Sequence, residues 1–129
     1  PRHTAIATIP NQERSLSSKL FSPFTMRELK LANRIVVSPM GQYSADEGSA
    51  TEWHLMHLGH LSVSGAGLLI TEATAVNEPG RLSKTDLGLW SDANEQALSE
   101  VAGFCRRHGG AKLGIQLYHG GRKSSISTA

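Results

Sequence analysis

Three short stretches, apolar on both faces, alternate with two longer segments that carry helix start and stop signals. Arg34-Ile35-Val36-Val37-Ser38-Pro39-Met40 is a β-branched run ended by proline, the form of a short buried strand. Thr51 can N-cap a helix running from Glu52 to about Ser64, closed by Gly65 and Gly67. Gly67 to Val76 reads as a second strand, and Asn77-Glu78-Pro79-Gly80-Arg81 as turn chemistry. Ser91 or Asp92 can cap a longer helix through Glu95, Leu98, Val101, Ala102 and Cys105 to Arg107. Cationic Arg106, Arg107 and His108 suit its negative C-terminus, and Gly109-Gly110 ends it. Lys112 to Tyr118 is a third strand. The order β-α-β-α-β calls for a parallel sheet with right-handed crossovers. A doubly wound sheet fits this pattern. So does a (β/α)8 barrel of roughly 250 residues, of which these would be the first three strands. Ahead of them, Leu20 to Ile35 reads as a small hairpin or lid, its apolar pieces broken by Pro23 and Asn33.

Composition narrows the function classes. A chain of 129 residues has room for one domain with a modest core. A formal net charge of +2, with basic residues scattered along the chain, gives no stripe for nucleic acid. No apolar stretch approaches the ~20 residues that span a bilayer. The single cysteine, Cys105, rules out an intramolecular disulfide framework, so a reducing cytoplasm is expected. Residues 1–19 are mixed and polar and are expected to be a disordered leader or a cloning remnant. The start at Pro1 instead of Met is expected of a piece of a longer product, or of a processed one. Residues 20–129 form the expected domain.

In either architecture ligands gather at the C-terminal ends of the strands. Those ends are Ser38-Pro39-Met40-Gly41, Glu72-Ala73-Thr74-Ala75 and Gln116-Leu117-Tyr118-His119-Gly120-Gly121. Small or polar residues replace bulky apolar ones at all three, which lets backbone amides approach a flat ligand. Gln116 interrupts an otherwise apolar strand. A buried glutamine left unpaired costs ~1–3 kcal/mol. Either it bonds a neighbouring loop, or its amide meets the alternating donor and acceptor edge of a ligand.

The spaced pieces resemble one family. Ile35-Val36-Val37-Ser38-Pro39-Met40 followed by Tyr43-Ser44 is similar to the first-strand signature of the Old Yellow Enzyme family. Glu72-Ala73-Thr74-Ala75-Val76 resembles the segment after its second strand. Gly114-Ile115-Gln116-Leu117 with His119, Gly121, Arg122 and Lys123 resembles the segment after its third. Thr51, His54 and His57 on the first helix, Leu87-Gly88-Leu89-Trp90-Ser91-Asp92 before the second, and Phe21-Ser22-Pro23 with Asn33-Arg34 in the hairpin also match. The resemblance runs from Leu20 to Lys123 with order and spacing intact.

The resemblance implies an N-terminal hairpin followed by the first three βα units of an incomplete TIM (β/α)8 barrel. It also implies FMN bound non-covalently at the barrel's C-terminal mouth. By position, Ser38, Pro39, Met40 and Gly41 would line the isoalloxazine, largely through backbone. Ala73 would sit close to the flavin, and Gln116 would bond its pyrimidine side. Tyr43 corresponds to a tyrosine of the substrate pocket, and Lys123 would lie near it. The implied reaction carries hydride from NADPH or NADH through the flavin to the β-carbon of an activated, electron-poor alkene. The family's carbonyl-binding pair and flavin-phosphate site belong to later strands, so the remainder of the barrel is required and the fragment alone is expected to be inactive. Assembly into a homo-oligomer is left open.

Other motifs carry blander readings. His54, His57 and His60 show no HExxH pattern, and helix packing or surface exposure is expected instead of a metal site. His119 could act as a general base or orient a neighbour. Gly120-Gly121-Arg122-Lys123 lacks Walker spacing, and no GxGxxG follows the first strand. Cys105 lies on the apolar side of its helix and is expected to be inert. Asp46 and Glu47 read as solvated turn residues. A non-catalytic alternative treats the chain as a partial-barrel assembly or interaction module. Three strands leave two open edges and an uncovered apolar face, an aggregation liability that favours the enzyme reading.

One position departs from the family pattern: the residue after Pro39-Met40 is commonly Cys or Thr, whose side chain can donate towards the flavin carbonyl O4, whereas Gly41 has none. A reduced ring is more electron-rich, so the missing donor predicts a more negative flavin potential. Redox titration of the complete enzyme against its Gly41→Cys variant tests this, and equal potentials would refute it.

Overall fold

The computed structural model describes residues 18–124. The leader expected over residues 1–19 lies, up to residue 17, outside the described residues, and Lys19–Phe21 already forms a short 3-10 turn. The expected hairpin is present as β1 (Phe24–Met26) and β2 (Leu29–Leu31), paired antiparallel. Its two-residue turn places Arg27 at φ 54, a left-handed conformation usually left to glycine. Leu31 is its buried residue, and the Arg34 guanidinium lies 4.9 Å over the Phe24 ring.

The main sheet is parallel. Its strands are β3 (Val36–Val37), β4 (Leu68–Ala75), β5 (Leu87–Gly88) and β6 (Lys112–Tyr118). β6 pairs one edge of β4 along its length, while β3 and the short β5 occupy opposite ends of the other edge. The first strand is shorter than the expected run. Pro39 has no N–H to offer a ladder, and Asn33 ties the hairpin exit to the turn before β4. Its Nδ2 donates to Gly65 O at 2.8 Å, and its Oδ1 accepts from Gly67 N at 2.9 Å. β5 was not expected: Leu87 and Gly88 pair with Thr74 and Ala75 at the end of β4.

The two helices are α1 (Glu52–Ser62) and α2 (Asp92–His108). α1 ends with Gly65 at φ +85, a left-handed stop. At the end of α2 the glycines serve another purpose: neither has positive φ, and a Cβ on Gly109 would lie 2.5 Å from Ser62. Close approach of α2 to α1 requires glycine there. Both helices pack on one face of the sheet, where Leu58, Leu69, Val101, Cys105 and Ala111 form the core with Val37 and Leu113 beside it. Ile115 and Leu117 stand exposed beyond the cover of α2. Among the described residues no helix is long and apolar enough to cross a membrane.

Leu69 is 1% exposed and sits where the core residues of β4, α1 and α2 meet. Its truncation in Leu69→Ala should cost about 2–5 kcal/mol of unfolding free energy. Urea unfolding of the two proteins reads this directly; a loss under about 1 kcal/mol would mean the site collapses without a cavity.

Candidate functional site

The expected site residues fall at the C-terminal ends of β3, β4 and β6, and strand register brings two of them together. From Leu68↔Lys112 to Thr71↔Ile115 the pairing of β4 with β6 is regular; it then skips Glu72 and resumes at Ala73↔Gln116. This is a β-bulge, one extra residue on β4. Because of it, Ala73 lies beside Gln116. Gly114, two residues before Gln116, neighbours Ile70 and Leu68 on the sheet face away from the helices. Gln116 follows on that face and is exposed, so its amide is not the buried group that its apolar neighbours suggested.

The bulged residue turns the other way. Glu72 is 5% exposed and reaches α1, where its Oε1 lies 2.8 Å from Nε2 of His54, itself 1% exposed. The contact is close but off the line of an aligned hydrogen bond. His54 Nδ1 accepts the Thr51 N–H at 3.0 Å, so the ring proton sits on Nε2, facing the carboxylate. Glu72 Oε2 accepts the backbone N–H of Gln42 at 2.5 Å. A buried acceptor without partners would cost about 1–3 kcal/mol, and these donors explain how the sheet tolerates an acid.

Gln42 is the hub of the loop after β3. Its Nε2 donates to Met40 O at 2.8 Å, its Oε1 accepts from Trp53 Nε1 at 3.0 Å, and its carbonyl accepts from Ser44 Oγ at 2.9 Å. Thr51 Oγ1 then donates to Ser44 O at 3.0 Å. On this stitched backbone Ser38, Met40 and Gly41 are exposed and Pro39 is half-buried. Tyr43 is 66% exposed and holds φ 53, a strained value for a non-glycine residue. A Cβ on Gly41 would meet the Tyr43 ring at 3.6 Å and Glu72 Oε2 at 3.8 Å, ordinary contact distances, so a side chain fits there.

A second cluster locks the loop before α2 onto β6. Tyr118 Oη donates to Asp86 Oδ2 at 2.5 Å, and the same carboxylate oxygen accepts from the Leu82 and Ser83 amides at 3.0 Å. Burial, then the bond to Asp86, pushes the Tyr118 hydroxyl from 10.0 up to about 12. Burial alone would raise Asp86, but the bonds from Tyr118, Ser83 and Leu82 outweigh it and hold its carboxyl below the usual range. Arg81, 3% exposed, pairs with Glu78 at 2.9 Å and lies 5.2 Å over the Trp90 ring. His119 Nδ1 accepts the Gly121 N–H at 2.9 Å, an orienting role for the turn Gly121–Lys123. Lys123 stands exposed in that turn, without an ion pair among the described residues. Asp46 and Glu47 are exposed, and burial pushes the Cys105 thiol up. An apolar groove of about 290 Å³ between α2 and the sheet, lined by Leu98, Val101, Leu113 and Ile115, lies on the helix side, away from these strand ends.

Sequence reasoning missed Glu72, Gln42 and the Tyr118–Asp86 pair. Glu72 carried a usable signal, since an acid inside an apolar strand is the same anomaly that singled out Gln116. Gln42 carried none, because its role is set by its backbone amide.

A family model described as the NADH:flavin oxidoreductase / NADH oxidase family matches residues 19–128. The NADPH dehydrogenase of Geobacillus sp. (strain WCH70) is 48% identical over 113 residues, covering 86% of this chain and 33% of that protein. The NADPH dehydrogenase of Listeria monocytogenes is 50% identical over 111 residues, covering 84% of this chain and 32% of that protein. The structure of the old yellow enzyme homologue from Zymomonas mobilis superimposes with a TM-score of 0.68 at 28% identity, over 78% of this chain and 28% of that one. The chain thus spans about a third of the length of the relatives it matches. The similar solved structures are TIM barrels, and the described residues form the corresponding α/β portion, with a parallel sheet and no closed barrel.

The raised Tyr118 hydroxyl makes a pH test. Its folded value lies above its unfolded one, so its contribution to stability is fully present below pH 10.0 and is lost as pH rises through about 12. Wild type should therefore be more stable than Tyr118→Phe by a constant margin up to pH 10.0, and the margin should shrink above it. A margin that stays constant across that window would show that the fold does not hold the Tyr118 proton more tightly than the unfolded chain does.

Proposed function

Because this chain belongs to the NADH:flavin oxidoreductase / NADH oxidase family, we propose that residues 20–129 are the N-terminal part of an FMN-binding TIM barrel that reduces activated alkenes. FMN is the cofactor of this family and NAD(P)H its reductant. The observation that carries the reading is the pairing of Ala73 with Gln116 at the strand ends, produced by the bulge at Glu72. A small residue beside a primary amide, on an open sheet face, suits a flat ring with alternating donor and acceptor edges. When bound, FMN supplies the redox chemistry, carrying hydride equivalents from NAD(P)H to the β-carbon of an electron-poor alkene.

The chain's own residues then bind and orient. Ser38, Pro39, Met40 and Gly41 present backbone to the ring, Ala73 leaves space for it, and Gln116 bonds its pyrimidine side. Tyr43, projecting from the same loop, lines the substrate pocket, with Lys123 on the turn after β6 as the further pocket residue. Exposed Trp53 and Met56 on α1 and Ile115 and Leu117 on β6 need cover. The remaining βα units provide it in this reading; a second copy would do so if the chain worked as a non-catalytic assembly module.

FMN titration followed by flavin fluorescence tests the assignment in the full-length protein. Gln116→Ala should weaken FMN binding about tenfold or more, as expected for losing bonds to a polar ligand edge, while leaving the fold unchanged by circular dichroism. Unchanged affinity would remove Gln116 from the site. NADPH consumption that matches the loss of an α,β-unsaturated ketone supports the alkene; consumption by oxygen alone would leave an oxidoreductase of another substrate class.

A further inference from the structure

We propose that Glu72 is a positioning residue for the loop Met40–Tyr43, tying the two halves of the strand-end site to each other through one buried carboxylate; this rests on the flavin reading above. Three observations converge on it. First, both neighbours of the carboxylate are donors. Gln42 donates its backbone N–H to Oε2, and the Nε2 of His54 lies 2.8 Å from Oε1 without the alignment of a hydrogen bond, its Nδ1 being occupied by the Thr51 N–H. A carboxylate presents an acceptor to each of these groups, whereas a glutamine would turn its NH2 towards one of them.

Second, the tether and the bulge are the same residue. By leaving the ladder, Glu72 lets Ala73 fall beside Gln116, and by turning to α1 it captures the amide next to Gly41 and Tyr43. Among the bonds that hold the β3 loop, this one runs directly from β4 beside Ala73 and Gln116 to the amide next to Gly41 and Tyr43. Third, the loop is exposed where a ligand would meet it and held from beneath. Met40 and Tyr43 are open to solvent, while Glu72 and His54 are almost wholly buried. The left-handed Tyr43 backbone persists only where its surroundings over-determine it, and Gln42, its neighbour, is bonded at its backbone N–H, its carbonyl and both ends of its amide.

Hydrogen exchange on the full-length apo-protein tests the tether without the cofactor. Glu72→Ala, which removes both oxygens, should speed exchange of the Gln42 amide about tenfold or more, as loss of a bond to a charged acceptor implies, with the β4–β6 amides unchanged. The FMN-loaded protein should then bind flavin more weakly and show a shifted midpoint potential, which a merely structural residue remote from the loop would not move. Wild-type exchange at Gln42 in the variant would overturn the proposal. If Glu72→Ala does not fold, the wild-type spectrum decides: the Gln42 amide proton should resonate well downfield and exchange slowly, and an ordinary shift with fast exchange overturns the tether. A wild-type protein that protects Gln42 but never binds FMN would sink the flavin reading and leave the tether standing.

Discussion

Parallel pairing along both edges of β4 is the constraint on which the other elements depend. β6 lies along one edge, and β3 and β5 share the other, so each remaining strand finds its place only through this one. Parallel neighbours need crossovers, and the crossovers are α1 and α2, which meet over Leu69 and close against each other at Ser62 and Gly109. Hydrophobic burial on that face fixes the helices; the ladder fixes which residues reach the far ends of the strands. The opposite face carries Gln116, whose amide is exposed.

Polar groups at the strand ends divide into two kinds. Glu72, His54, Arg81 and Asp86 are buried and partnered, and they hold loops. Gln116, Tyr43 and Lys123 are exposed, and in the proposed reading they meet the ligand. A buried charged group without a partner is costly, so the buried set needs the bonds that hold these loops, and the exposed set does not. Membership of the flavin oxidoreductase family fits this division, since the cofactor brings the reactive chemistry and the protein brings shape.

Much of this was legible from the chain itself. The β-α-β-α-β order, the hairpin and the caps at Thr51 and Ser91 all follow from local chemistry: β-branched runs, a helix-start hydroxyl and turn residues. The motif spacing pointed to the family. What escaped was decided by contacts between distant segments. Val36–Val37 is a short strand because its flanks are held elsewhere, Leu87–Gly88 becomes a strand only because the end of β4 has an open edge, and Gly109 is a packing glycine because Ser62 arrives beside it. Tyr118 and Asp86, 32 positions apart, show no local sign of their bond.

The bulge also changes the parity of β4. Before it, odd-numbered residues such as Leu69 face the helices; after it, the even-numbered Thr74 pairs with Leu117 on that side, and Ala73 and Ala75 pair with Gln116 and Tyr118 on the other. A strand that seems to lose its alternation halfway has, in its pairing with β6, two stretches out of phase by one. Substitutions at Leu69 before the bulge and at Thr74 after it should therefore be felt on the same, helix-covered side of the sheet although one position is odd and the other even. Removing one residue at the bulge would not merely shorten a loop: it would exchange the inner and outer faces of the strand's last turn of pleat.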